Sequence, residues 1–194
     1  VLGDPAARAL PLARSAKGFV AIDLDGHHPD PHATVIALGV DGALRVDDRI
    51  HPGPDGVVVL EASDARIDGQ ALRLETANGP DGRAVANLGY WTRADDAARW
   101  SAVAVVAGKE YEVRARVAVA PGAEGGELAV VVGGQQVRGA FTTPTGGWQD
   151  YRDVVLGRVR LEAVPGAGVP VVARPLAVGP TAVCNLRDVR LVPR

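Results

Sequence analysis

An all-β fold, an antiparallel β-sandwich of the jelly-roll kind, is what this sequence predicts, and three observations predict it. Short runs alternate apolar and polar residues with a period of two, the pattern of strands buried on one face. The chain carries 24 Gly and 14 Pro in 194 residues, which punctuate it too often for long helices. No segment between the runs reads as the crossover helix that a parallel sheet requires. Helix signals are confined to Asp4–Leu10, where an N-cap and an N1 proline precede good helix formers, and to Asp95–Arg99, where Asp95-Asp96 read as a capping start.

Taken in order, the strand candidates begin with 19–24 and 34–40. A Pro/Gly run then spans His51 to Gly56 and marks a boundary. Residues 1–56 are therefore expected to be an N-terminal extension of two or three strands, packed on the sandwich or left from a preceding domain. Residues 57–194 form the sandwich itself, with candidates at 57–61, 71–76 and 100–106. The clearest strand is 110–119. There Tyr111, Val113, Ala115, Val117 and Val119 share a face that should meet the core, while Glu112, Arg114 and Arg116 should meet solvent. Runs 128–132 and 135–141 flank Gly133-Gly134, the signature of a hairpin with a tight primed turn. The series closes with 154–162, 169–174 and 183–192.

The composition excludes several classes. Apolar residues make up 47% of the chain, ample for a core, and the net charge of −2 gives no clustered basic face for nucleic acid. No apolar run reaches the length of a membrane span. The single Cys184 has no partner for an internal disulfide and reads as a buried thiol. The chain starts at Val1 and contains no Met, so it is expected to be a processed product or a piece of a longer protein. No nucleophile–base pair, phosphate loop or Cys/His cluster stands out, and the chain is read as non-enzymatic.

The aromatic residues sit in unusual places. Thr145-Gly146-Gly147-Trp148-Gln149-Asp150-Tyr151 puts a Trp and a Tyr in a Gly-rich turn, although the whole chain has only three of each and two Phe. Flexible glycines at a strand entrance present a ring for stacking on a flat apolar face, such as that of a sugar. Two further segments join it: Asn87-Leu88-Gly89-Tyr90-Trp91, and Asn185-Leu186-Arg187-Asp188-Val189-Arg190-Leu191.

With Glu61-Ala62, Arg99-Trp100, Ala107–Tyr111 and Leu156-Gly157 between them, these segments occur in an order that resembles the carbohydrate-binding jelly rolls of families 6 and 35. More closely, the succession looks like the C-terminal β-sandwich of bacterial α-L-fucosidase-like glycoside hydrolases, with 33–42 resembling the strand that precedes that module. The resemblance covers about residues 33–194. It implies a secreted or cell-surface bacterial module whose partner is a glycan or the catalytic domain of its parent protein. It also implies sugar-binding roles for Tyr90 or Trp91, for Trp148 and for Asn185. The Glu-Ala-Glu calcium signature of family 6 is here Glu61-Ala62-Ser63. Glu61 and Asp188 remain as candidate ligands for a structural Ca²⁺, few for an ion that takes roughly six to eight oxygens. No other cofactor is expected.

Each of these residues also has a plainer reading. Trp148 and Tyr151 would plug the rim of the sandwich. Tyr90 and Trp91 are adjacent, so in a strand one points in and the other out. Trp100 opens an alternating run and reads as a core plug. Asn185, in an apolar strand, would serve only to satisfy a backbone group. His27, His28 and His32 lie in a Pro-rich loop without a further ligand to close a metal site. Asp23 and Asp25 lead into a turn, and Arg187, Asp188 and Arg190 suit cross-strand ion pairs. The alternative of another class is a structural subunit of a cell-surface assembly or filament. It would oligomerise by adding the segment 1–24 as a strand to a neighbour.

Overall fold

The computed structural model describes residues 9–14, 20–24, 35–43, 47–78, 84–162, 165, 166 and 168–194. The expected helix start at 4–8, the His27-His28-His32 loop, Asp25 and Thr34 lie outside the described residues. The chain divides into two compact units, Val1–Asp47 and Asp48–Arg194. In the first, β1 (Leu12–Arg14) pairs antiparallel with β2 (Val20–Ile22). The strand expected over 34–40 is not formed: 35–40 carry no ladder pairing.

In the second unit the elements are β3 (Val58–Glu61), a one-turn 3-10 helix (Ala62–Asp64), β4 (Arg66–Asp68), β5 (Arg73–Asn78), β6 (Ala84–Gly89) and β7 (Ala97–Val103). There follow β8 (Glu110–Ala118), β9 (Gly126–Val132), β10 (Gln135–Phe141), β11 (Arg152–Arg160), β12 (Val169–Ala177) and β13 (Asn185–Pro193). One sheet has the order β10-β9-β12-β7-β4. The other runs β11-β8-β13-β6-β5, with β3 pairing on β13 as well. The named strands all pair antiparallel. This is the expected sandwich, with its core between the sheets.

Strand β8 shows how the alternation makes the fold. Tyr111, Val113, Ala115, Val117 and Val119 are all buried against the facing sheet. The other face departs from expectation: Glu112 is buried too, at 5% exposure, and Arg114 and Arg116 are half-buried. The reason is position. β8 lies between β11 and β13, and arginines on β8 itself and just past β13 close over Glu112. Arg114 Nη2 reaches Glu112 at 2.6 Å, and Arg194 makes a second ion pair with the same carboxylate.

Gly133 and Gly134 both have positive φ (54° and 90°) and turn β9 into β10, as a primed hairpin turn requires. The segment expected as a turn of helix at 95–99 is instead a turn at Asp95-Asp96 followed by the start of β7 at Ala97, and Asp95-Asp96 cap no helix. Asp96 is fully buried. Its carboxylate accepts from the backbone N–H groups of Gln70, Ala71 and Leu72 at 2.8, 3.0 and 2.6 Å. It thereby satisfies the chain entering β5, which has no ladder partner there. Trp100 is the expected core plug, its indole N–H donating to Glu61 O at 2.9 Å. Cys184 is buried, and burial pushes its thiol pKa well above the ordinary value.

Candidate functional site

The edge of the sandwich where β6 ends and β13 begins carries the turn aromatics. β6 stops at Gly89, and Tyr90 follows with φ 57°, the one non-glycine with positive φ among the described residues. A left-handed residue is uncommon outside glycine, and such conformations concentrate at functional sites. Here it reverses the chain, and Thr92 N–H closes the turn on Tyr90 O at 2.8 Å. The neighbours consequently separate. Tyr90 is 58% exposed, while Trp91 is completely buried and donates its indole N–H to Asp96 O at 3.2 Å. Trp91 is thus corrected from ligand candidate to core residue: no ring face is open to a ligand.

The 145–151 loop is anchored at its start. Thr145 Oγ1 accepts from Val119 N–H at 2.8 Å, and Thr145 N–H donates to Val119 O at 2.8 Å. This holds Trp148 at the rim, half-buried, with one part packed on the core. Asn185, the first residue of β13, is 6% exposed and donates its amide to Trp148 O at 2.9 Å. It therefore does what the plain reading asked, satisfying a backbone group, and in doing so fixes the loop that carries the Trp ring.

Tyr90, Trp148 and Asn185 line one cleft of about 300 Å³. Sequence reasoning missed its other polar walls: Glu75, Gln149, Thr92 and Thr181. Glu75 lies opposite Asn87 in the β5–β6 ladder, and Asn87 donates to its Oε2 at 2.9 Å. A side chain at Gly89 would collide with this carboxylate and come within 3.1 Å of Asn185 Oδ1. The glycine is needed for both groups to lie across the strand end. Nothing in the sequence separated Glu75 from other outward acids of an alternating strand; its meaning comes from the pairing with Asn87 and Gly89.

Two guanidinium–aromatic contacts support the wall. Arg73 Cζ lies 5.5 Å from the centre of the Tyr90 ring, and Arg187 Cζ 3.8 Å from that of Tyr151. Arg187 is the extra residue of a bulge in β13, since Leu186 opposes Val117 and Asp188 opposes Arg116. Burial raises the Tyr151 hydroxyl above its ordinary pKa of 10.0, with Arg187 and Asn185 pulling the other way. Tyr151 is therefore a supporting ring under an arginine.

A second hollow, of about 320 Å³, contains Glu61, Ser63, Arg187 and Asp188 beside Leu74 and Val85. Glu61 and Asp188 oppose each other in the β3–β13 ladder. Two facing carboxylates are few for calcium, which takes roughly six to eight oxygens. Asp188 is ion-paired with Arg190: Nη2 donates to Oδ2 at 3.2 Å, and Nε lies 2.8 Å from Oδ1 without the geometry of a hydrogen bond. Burial lifts its pKa, which Arg190 and Arg116 partly offset. No group of three or more His, Cys, Asp or Glu comes together among the described residues. No helix among the described residues is long and apolar enough to cross a membrane.

No family model and no curated protein matches the sequence. Solved structures do match by fold. A β-1,3-glucan-binding family 6 module from Bacillus halodurans is similar over 76% of this chain and 99% of its own, at 19% identity and TM-score 0.54. A family 35 carbohydrate-binding module from Clostridium thermocellum covers 69% of this chain and 97% of its own, at 18% identity and TM-score 0.53. The chain shares the fold of these binding modules. The insecticidal crystal protein Cry2Aa also contains it, matching 74% of this chain with 23% of its own length, at 15% identity and TM-score 0.52. A fold so widely used leaves the function to be argued from the cleft.

Proposed function

We propose that the chain is a non-catalytic glycan-binding module in which Tyr90 and Trp148 grip a sugar ring and Asn185 and Glu75 fix its orientation. One observation carries the reading: an exposed Tyr held in a left-handed turn, a rim Trp and a buried Asn converge on one cleft. Aromatic faces stack on the apolar C–H face of a sugar, while an amide and a carboxylate take its hydroxyls. Glu75 is the sole carboxylate among the lining residues, whereas glycoside hydrolysis ordinarily uses two. A shallow cleft of this size buries little ligand, so affinity per site is weak and the module acts by keeping a larger protein on its substrate. Its setting is then extracellular, beside a glycoside-hydrolase domain such as an α-L-fucosidase-like one.

A glycan-array screen of the chain tests this. Selective retention of polysaccharide or oligosaccharide ligands by the parent chain, lost in Trp148→Ala, supports it. A blank array at millimolar glycan contradicts it.

A further inference from the structure

We infer that the hollow containing Glu61 and Arg187 is a second binding site, for a small zwitterion with an apolar side chain, that is, a free α-amino acid. It shares no lining residue with the aromatic cleft and does not depend on the glycan-binding reading. The strand order of the sheet creates it. Two strands take one side of β13 in turn: β6 pairs with it at Leu186, and β3 pairs with it from Asp188 to Leu191. Arg187, the bulge residue, falls at the seam where neither strand pairs. Beyond the seam, β6 and its neighbour β5 bring Val85, half-buried, and Leu74, 45% exposed. The hollow of about 320 Å³ thus combines apolar walls with Glu61, Arg187 and Asp188.

The charges decide the ligand. Asp188 is offset by its ion pair with Arg190. Glu61 is exposed and Arg187 half-buried, and neither makes an ion pair with the other or with another described residue. Tyr151 offers Arg187 a ring face at 3.8 Å but no counter-charge, and the Arg187 Nε is buried without an acceptor. A partly buried guanidinium without a counter-charge is costly, so an anionic group placed against it is stabilised. A plain anion would meet repulsion from Glu61, and a plain cation would meet it from Arg187. A molecule with an ammonium and a carboxylate on one carbon answers both. The ammonium has three donors for the Glu61 carboxylate, and the carboxylate accepts the fork of guanidinium N–H groups. An apolar side chain on the same carbon covers Leu74 and Val85. The volume lies at the low end for small-molecule sites, which suits a single amino acid held weakly.

The test is an NMR titration of the full chain, followed at its backbone amides, with leucine, leucinamide and N-acetyl-leucine. Leucine at millimolar concentration should give saturable shifts confined to 61–63, 74–76, 85–86 and 187–188. Leucinamide lacks the carboxylate and N-acetyl-leucine the ammonium, so each should bind about tenfold more weakly, the scale of one charge-assisted hydrogen bond. Glu61→Gln changes an exposed side chain and should weaken leucine by a similar factor while the thermal melt stays unchanged. Arg187→Gln should do the same to binding; should it also lower the melt by releasing Tyr151, Glu61→Gln alone decides. Equal binding of leucine and both blocked derivatives would make the hollow a merely apolar patch and overturn the inference. Leucine binding at full strength in Glu61→Gln would overturn it as well. So would shifts produced at these residues by calcium chloride when leucine produces none, or no response there to leucine at all.

Discussion

Tyr90 and Trp91 show how much one backbone angle decides. They are neighbours in sequence, yet the positive φ at Tyr90 sends one ring to the cleft and the other to the core. The two should respond differently to truncation. Trp91→Ala removes a fully buried indole and is expected to destabilise the module by roughly 3–5 kcal/mol in urea or thermal unfolding. Tyr90→Ala should leave the melt nearly unchanged and act on binding, as surface substitutions usually do. The adjacency predicted that one ring points in and one out; which was which depended on a turn that the sequence does not announce, because Tyr rarely adopts it. Asp96 carries the same lesson. Its sequence neighbourhood resembles a helix cap, but its three backbone partners come from Gln70, Ala71 and Leu72, far along the chain. Asp96→Ala leaves those N–H groups buried without an acceptor and should cost roughly 3 kcal/mol or more, read from the same unfolding curves.

At the scale of the strand, β8 was legible on one face. The alternation from Tyr111 to Val119 assigned the core side correctly because burial in a sheet has a strict period of two. The other face was not, because a lone strand does not reveal what its neighbours place over it. Val117→Asp buries an unpaired charge and should destabilise by about 4 kcal/mol or more. Arg116→Asp should not be silent either, since Arg116 opposes Asp188 on β13 and Asp153 on β11. A third acid there should cost about 2 kcal/mol, and equal melting temperatures for parent and Arg116→Asp would contradict the pairing. The bulge at Arg187 was equally invisible in the sequence. It brings Leu186 and Val189 to the same buried face although they are three residues apart.

The Glu112 ion pairs also fix a pH response. Arg194 and Arg114 hold the Glu112 carboxyl below its ordinary value of 4.5. A depressed folded-state pKa gives stability that is present above 4.5 and lost as pH falls through the lower folded value. Asp188 acts with the opposite sign, since burial raises it above 3.8 and protonation relieves that cost. Melting temperature should therefore fall once pH drops below about 4.5, and Glu112→Gln should flatten that acid limb. A limb of unchanged steepness in the variant would place the titrating group elsewhere.

Across the whole molecule, the sandwich was legible from punctuation and alternation, since both are local properties that a two-sheet core must respect. The cleft was partly legible. Tyr90, Trp148 and Asn185 stood out as aromatics in turns and an amide in an apolar strand, whereas Glu75 gains its place only through the ladder that sets it against Asn87. The calcium expectation rested on Glu61 and Asp188, and the Arg190 guanidinium already holds Asp188. Chelator and millimolar Ca²⁺ should accordingly leave the melting temperature within about 1 °C of each other; a larger rise with Ca²⁺ would restore the metal site, because a ligand that binds the folded state must stabilise it.

The most direct measurement of the central claim is titration calorimetry on the best array ligand with parent, Tyr90→Ala and Trp148→Ala chains, paired with thermal melts. Saturable binding by the parent, with affinity falling at least tenfold in both variants, is the predicted result. The melts should show that both variants remain folded. Full affinity in both variants, or unfolding of Trp148→Ala in a parent that binds no glycan, would make the rim aromatics structural plugs and contradict the account.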